Sequence, residues 1–426
     1  MNLKLEKSTL RSTVLAITGS KSETNRLILL KALYPEIEIL NCSNSDDSEV
    51  MLKALDLVTS NDIYVPLHVD IHHAGTAMRF LTAFFAIQEG REVVLTGSSR
   101  MKERPIKILV EALKQLGAEI EYLEQEGFPP LKIKGKSLIQ DKISLPANVS
   151  SQYISALLLI APKLKNGLAL NLEGEITSVP YIKMTLALLN ELGVKTSFLG
   201  NTITVGHAER VGLHQFAPLE SVFQLTVESD WSSASYWYSL VALSEVGTTI
   251  TLSSYKKNSL QGDVVLANIY QDFGVETFFN NDNTNTITIS KVKNCQLSTV
   301  NYQLRNSPDI AQTIAVTCFG LGIACDLFGL HTLKIKETDR LEALKIELTK
   351  LGAKIAVTED SLHLESSNSI NENVSIKTYQ DHRMAMAFAP LALKVPIVIQ
   401  DAEVVSKSYP MFWEDLQKTG IKIIEN

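Results

Sequence analysis

The chain of 426 residues is 45% hydrophobic and 20% charged, an ordinary balance for a globular protein, and it exceeds the roughly 250–300 residues at which a single core stops growing, so two domains are expected. A formal net charge of −7 excludes a generally basic, nucleic-acid-binding surface, so any concentration of cations has to be local. Cys42, Cys295, Cys318 and Cys325 form no Cys-x-x-Cys pair and no pattern with histidine, which reads against a zinc site or a disulfide framework and for buried thiols in a reducing cytoplasm.

In chain order, residues 1–14 alternate charged and apolar positions with no signal-peptide core. Gly19-Ser20-Lys21-Ser22 lacks the Walker spacing, but Lys21, Ser22 and Arg26 open a helix whose apolar face is Leu27, Leu30 and Leu33. Such a start reads as an anion site or as a solvated first turn. Residues 74–79 (Ala-Gly-Thr-Ala-Met-Arg) are small and tight and lead into a helix; the spacing fits close ligand approach at Gly75 or close helix packing. Residues 101–105, Met-Lys-Glu-Arg-Pro, crowd charges at the start of a helix with the stripe Ile106, Leu109, Val110, Leu113 and Leu116, and Pro105 suits its first position. Ser150-Ser151-Gln152 precedes an apolar helix over 153–164; capping accounts for one residue, and two hydroxyls with an amide also suit a phosphate.

Further along, Ser307-Pro308-Asp309 precedes the apolar run 310–330, which Gln312, Asp326, Gly320 and Gly322 mark as a buried helix rather than a membrane span. Asp309 reads as a helix cap or as a carboxylate able to act as a base. Residues 335–355 nearly copy 101–120: Lys336, Glu337 and Arg340 crowd a helix start, Asp339 and Glu342 have capping-box spacing, and Leu341, Leu344, Leu348 and Leu351 form the stripe. Asp381-His382-Arg383-Met384 opens another apolar helix, with Asp381 as cap and His382 read as structural, and Lys407 precedes the last helix. Strand-like runs stand at 92–95, 169–172, 248–252 and 395–399.

A rhythm joins these segments. Around 113–120, 189–196, 269–277, 348–357 and 416–424, an amphipathic helix ends at Gly117, Gly193, Gly274, Gly352 or Gly420 and gives way to a β-rich run. A sixth member at 51–58 lacks the glycine. The period of roughly 70–80 residues exceeds common solenoid repeats, and the six units group as three plus three, with crossings near 18–22 and 227–232. Lys21, Arg26, Arg104, Lys336, Arg340, Arg383 and Lys407 all stand at or just before helix starts, where the macrodipole disfavours cations. Converging on one cleft, they would attract a multiply anionic small molecule, with Glu337 and Asp309 as its acids.

With Leu95-Thr96-Gly97, residues 100–105, Asn258-Ser259-Leu260-Gln261-Gly262-Asp263, residues 336–340 and residues 381–384 in order, the chain resembles the EPSP synthase family, the 3-phosphoshikimate 1-carboxyvinyltransferases, over nearly its whole length. The resemblance implies an α/β fold of two domains, each of three repeated βαβαββ-type units, with the active site in the interdomain cleft. The domains expected are 20–229, on the shikimate 3-phosphate side, and 1–19 plus 230–426. It implies transfer of the enolpyruvyl group of phosphoenolpyruvate to the 5-hydroxyl of shikimate 3-phosphate in aromatic amino acid (chorismate) biosynthesis, with no metal or organic cofactor, by a cytoplasmic monomer with no nucleic-acid or membrane partner.

By the same resemblance, Ser22, Arg26, Ser150, Ser151, Ser178, Asp309 and Lys336 look like ligands of shikimate 3-phosphate. Lys21, Arg104, Arg340, Arg383 and Lys407 look like ligands of phosphoenolpyruvate; Gln152 lies between the two, and Gly75 lies beside the phosphoenolpyruvate pocket. Asp309 resembles the proton acceptor, and Glu337 with Lys21 the proton donor. His73, Phe80 and Thr332 depart from residues common in the family (Asn, Pro and a substrate-binding Asn), while Gly75 implies inhibition by glyphosate in competition with phosphoenolpyruvate. The related transferase acting on UDP-N-acetylglucosamine is an alternative that typically carries a loop cysteine, and residues 96–104 have none. A non-catalytic anion-binding protein is a second alternative, and it would need neither Asp309 nor Glu337.

Overall fold

The computed structural model describes residues 1–60, 65–147, 150–176, 179–209, 223–280 and 285–425. The chain divides into two compact units, one of Ser20–Val227 and one of Met1–Gly19 with Glu228–Asn426.

In the Ser20–Val227 unit, one four-stranded sheet runs in the order Leu67–Asp70, Glu92–Thr96, Leu131–Lys134, Glu119–Tyr122. Its first pair is parallel and the other two are antiparallel. Lys142–Pro146, Leu168–Glu173, Thr202–Val205 and Thr196–Leu199 repeat the plan. The weak sixth member of the rhythm corresponds to a reduced repeat. Here Ile37–Leu40 pairs in parallel with Phe223–Thr226, a strand supplied from the far end of the unit. The residues following its helix Asp46–Ser60, 61–64, lie outside the described set.

The helix that leads into Ile37–Leu40, into Glu92–Thr96 and into Leu168–Glu173 is internal in each case. Lys21–Leu33, Gly75–Ala86 and Ser151–Ile160 pack on one another and are buried on nearly every face, which explains why their apolar residues show no clean stripe. The other helices cover the sheets. Lys107–Leu116 buries Leu109, Val110, Leu113 and Leu116 and leaves its polar face in solvent.

The unit formed by Met1–Gly19 with Glu228–Asn426 carries the same plan three times. One sheet runs Thr13–Leu15, Thr249–Leu252, Ile287–Lys291, Val275–Phe279, and a second runs Thr299–Gln303, Ala324–Phe328, Ser361–Leu364, Ile355–Val357. The third, Val374–Ile376, Ile397–Ile399, Leu3–Leu5, Ile423–Glu425, is completed by the N-terminal strand. The inner helices are Trp231–Leu243, Ala311–Leu321 and His382–Phe388. Their core is aromatic, with Trp237, Tyr409 and Phe412 stacked edge to face or tilted. The fold is α/β, with two sets of three repeated units.

The five glycine stops hold left-handed backbone, with Gly117 at φ 108° and Gly352 at φ 102°, values that side chains with a β-carbon resist. Four expectations need correction. The run 310–330 is not one helix: Gly322, also left-handed, ends the helix at Leu321, and Ala324–Phe328 is a strand. The helical part of 269–277 lies earlier, as a 3-10 turn Gly262–Val265 and one helical turn Leu266–Ile269, because the chain turns at Gly274 into a strand. Pro105 is not the first helical residue; Ile106 caps Lys107–Leu116, and Ser99–Lys102 forms a separate turn. The capping box at 339–342 is half made. Asp339 accepts from the Glu342 N–H at 3.1 Å, but the Glu342 carboxylate turns to Lys345 at 3.1 Å. All four cysteines are free thiols, and among the described residues no helix is long and apolar enough to cross a membrane.

Candidate active site

In the Ser20–Val227 unit the first turns of the inner helices carry the expected residues. Lys21 is the first residue of its helix, and its ammonium lies 3.5 Å from Asp47. Gly75 opens the next helix; a β-carbon there would lie 2.9 Å from Arg104 Cζ, so the guanidinium rests on the glycine. Arg79, one turn on, donates to the Gly75 carbonyl at 2.9 Å and to the Pro105 carbonyl at 3.4 Å. Tyr153 also donates to the Pro105 carbonyl, at 2.6 Å. Burial and then the neighbouring Arg104 push Arg79 down to about 10, the mark of two cations packed side by side. Gln152 donates to Thr76 at 3.1 Å, joining the first turns of two inner helices. Ser150 caps its helix on the Gln152 N–H, and Ser151 is buried behind it.

Arg26 is buried deeper than a surface ligand would be. Its Nε donates to Thr185 at 2.8 Å, Nη2 to Ser155 at 2.9 Å, and Nη1 to the Ser22 carbonyl at 2.6 Å. Phe80 lies under the guanidinium at 5.5 Å, which gives that residue a packing role. Burial lowers Arg26 to about 10, and among the described residues no carboxylate comes within ion-pair distance of it. Ser178 lies outside the described residues.

In the other unit the acids and cations form one network. Arg340, with 2% of its side chain exposed, donates from Nη1 to Asp309 at 2.8 Å, from Nη2 to Glu337 at 2.8 Å and from Nε to Asp381 at 2.7 Å. The Lys336 ammonium lies 3.5 Å from Asp309. Arg383 approaches Asp309 Oδ2 at 3.4 Å, and among the described residues its buried Nε makes no hydrogen bond. Burial alone would raise the Asp309 carboxyl, but Arg383, Lys336 and Arg340 outweigh it and hold the group well below the usual carboxylate range. Asp381 caps its helix by accepting from the Arg383 N–H at 2.8 Å. Lys407 donates to the Gln380 carbonyl at 2.7 Å, and Tyr379 and Gln380 both have left-handed backbone, at φ 55° and 58°, strain of a kind concentrated at functional segments. Thr332 keeps a buried hydroxyl with no hydrogen bond among the described residues.

Sequence reasoning passed over several members of these clusters. Asp47 pairs with Lys21, and Arg79 donates to the Gly75 and Pro105 carbonyls next to Arg104. Asp381 was read only as a cap, although it also binds Arg340. The segment 258–263 ties the second crossing in place. Ser259 donates to Glu228 at 2.7 Å, Gln261 donates to the Ser229 carbonyl at 2.9 Å, and Gln261 accepts from the Trp231 N–H at 2.9 Å. Ser229 in turn donates to the Ile17 carbonyl at 2.5 Å and bridges Gly19. The clustering of Asn258, Gln261 and Asp263 in one short segment was the available signal.

The model of the family described as EPSP synthase (3-phosphoshikimate 1-carboxyvinyltransferase) matches residues 5–416. The chain belongs to the EPSP synthase family. It is 44% identical over 411 residues to the 3-phosphoshikimate 1-carboxyvinyltransferase of Bacteroides fragilis (strain YCH46), covering 96% of this chain and 95% of that one. It is 35% identical over 422 residues to that of Sulfurovum sp. (strain NBC37-1), covering 94% and 95%. In fold it matches the EPSP synthase from Acinetobacter baumannii with a TM-score of 0.80 at 20% identity, over 100% of both chains. The enolpyruvyl transferase NikO from Streptomyces tendae follows with a TM-score of 0.70 at 15% identity, over 100% of this chain and 98% of that one. As a member of the EPSP synthase family, the chain has its repeated α/β units accounted for by those likenesses.

Proposed function

We propose that this protein transfers the enolpyruvyl group of phosphoenolpyruvate to the 5-hydroxyl of shikimate 3-phosphate, releasing phosphate, as a cytoplasmic monomer in aromatic amino acid biosynthesis. The observation that carries the reading is the Asp309 carboxylate held among Arg340, Arg383 and Lys336, with Glu337 on the same guanidinium. A carboxylate kept ionised by cations is a base in waiting. As substrate anions engage those cations, their hold on Asp309 weakens and its affinity for a proton rises.

The chemistry follows from these charges. Asp309 takes the proton of the 5-hydroxyl as its oxygen bonds to C2 of phosphoenolpyruvate, and Glu337, with Lys21, delivers a proton to C3. The tetrahedral adduct then loses phosphate from C2 and a proton from C3, which restores the double bond as an enol ether. Arg383, Arg104, Arg340 and Lys407 serve the carboxylate and phosphate of phosphoenolpyruvate, with Gly75 beside Arg104. Arg26, Ser22, Ser150, Ser151, Ser178 and Lys336 serve shikimate 3-phosphate, and Gln152 stands between the two. Residues 20–229 form the shikimate 3-phosphate domain, and 1–19 with 230–426 the other. Fixed charges of this kind supply transition-state stabilisation of roughly 3–4 kcal/mol per donor.

Turnover by Asp309→Ala tests the assignment. The variant is expected to fold, to retain the binding cations, and to lose phosphate release from phosphoenolpyruvate. Full activity would remove Asp309 from the role of base.

A further inference from the structure

Arg383 is held loosely for a residue so buried. Its side chain is 13% exposed. Nη1 reaches the Asp309 carbonyl at 3.4 Å, Nη2 reaches Asp309 Oδ2 at 3.4 Å and Ser232 Oγ at 3.3 Å, and Nε is unbonded among the described residues. Each contact lies beyond the usual 2.9–3.0 Å of an N–H···O bond. Ser232 has a second partner. Its hydroxyl donates to Asp263 Oδ2, and both residues are buried, at 7% and 5% exposure. A hydroxyl whose hydrogen is committed to a carboxylate offers only lone pairs to its other neighbour, and here that neighbour is the guanidinium. Ser232 and Arg383, in the first turns of two inner helices, are thereby joined to Asp309, in the 3-10 turn Pro308–Ile310 that leads into the third.

We propose that Asp263 is a positioning residue that acts through Ser232 to hold Arg383 where the phosphoenolpyruvate anion requires it. The inference rests on the function proposed above. It also gives a role to the last residue of the 258–263 segment, whose Gln261 fixes Trp231, the residue before Ser232, on the same helix. Burial and the nearby Asp309 carboxylate push the Asp263 carboxyl up to about 7. A carboxyl maintained against that cost is characteristic of a functional cluster.

Steady-state kinetics of the full chain carrying Asp263→Asn, Ser232→Ala or both tests the link. Each single variant is expected to raise the KM for phosphoenolpyruvate about ten-fold, the scale of one hydrogen bond to a charged group, with kcat changed less than about two-fold and the KM for shikimate 3-phosphate unchanged. The double variant is expected to be no worse than the worse single one, because both residues act through the same contact. An unchanged KM in both singles, a loss confined to kcat, or multiplying effects in the double variant would overturn the proposal. If Asp263→Asn melts at a lower temperature than the unsubstituted protein, Ser232→Ala decides alone. Unsubstituted protein without turnover rejects the function and this inference together. Normal turnover with an unaltered KM in the variants rejects only the inference.

Discussion

The Cα of Gly75 faces the guanidinium of Arg104 so closely that a β-carbon on residue 75 would lie 2.9 Å from Arg104 Cζ and 3.0 Å from Nη2. Real side chains almost never tolerate such distances, so a methyl group here displaces the guanidinium, the movable end of a flexible side chain. Gly75→Ala is therefore expected to leave the melting temperature nearly unchanged, to raise the KM for phosphoenolpyruvate by about ten-fold, on the order of one lost charge-assisted contact, and to weaken glyphosate inhibition. Inhibition kinetics against phosphoenolpyruvate check this. A non-competitive pattern in the unsubstituted protein, or an unaltered KM in the variant, would contradict it.

Arg340 joins three carboxylates, and Asp381 among them is wholly buried. Removing the guanidinium leaves buried negative charge without a partner, which typically costs roughly 3–5 kcal/mol. Denaturant unfolding of Arg340→Met is expected to show a loss of that order. Arg340→Lys is expected to recover little, because an ammonium cannot reproduce the fork. Adding Asp381→Asn to Arg340→Met should restore part of the stability by removing the stranded charge, and no restoration would count against the hub.

Arg26 presents a buried cation to hydroxyls and carbonyls. An anion bound beside it stabilises the folded state by mass action. Shikimate 3-phosphate is expected to raise the melting temperature of the unsubstituted protein and to raise that of Arg26→Met much less. Equal shifts would remove Arg26 from the binding set.

How far these features could be read in advance depended on the range of the interaction. The stops at Gly117 and Gly352 are local, since one left-handed residue decides each, and the stripes that precede them are local too. The strands Leu3–Leu5, Thr13–Leu15 and Phe223–Thr226 pair with partners far away in sequence, and nothing in such three- or four-residue runs announces the pairing. The cations at helix starts were visible one by one, but a charge on a helix does not declare its partner. Arg340 therefore read as a ligand-facing cation without its partners, which in the folded chain are Asp309, Glu337 and Asp381. Asp263, Ser232 and Arg79 were missed for the same reason, because a buried polar residue acquires meaning only from what packs against it.

Lys291 gives a pH signature independent of catalysis. Its ammonium donates to the Ala242 and Phe273 carbonyls at 2.7 Å each, and burial lowers the group from 10.5 to about 8. The unfolded chain therefore binds more protons than the folded one between about pH 8 and 10.5, so this group's contribution to stability rises with pH across that window and is least below it. The difference in unfolding free energy between the unsubstituted protein and Lys291→Met, measured across that window, should move in favour of the unsubstituted protein as pH rises. A flat difference would show that the residue is not desolvated.

The most direct test of the central claim is phosphate release from phosphoenolpyruvate, measured with and without shikimate 3-phosphate. The account predicts release only when both are present, with one phosphate formed per shikimate 3-phosphate consumed. Release that ignores shikimate 3-phosphate, release that requires UDP-N-acetylglucosamine in its place, or no release with both substrates would contradict it.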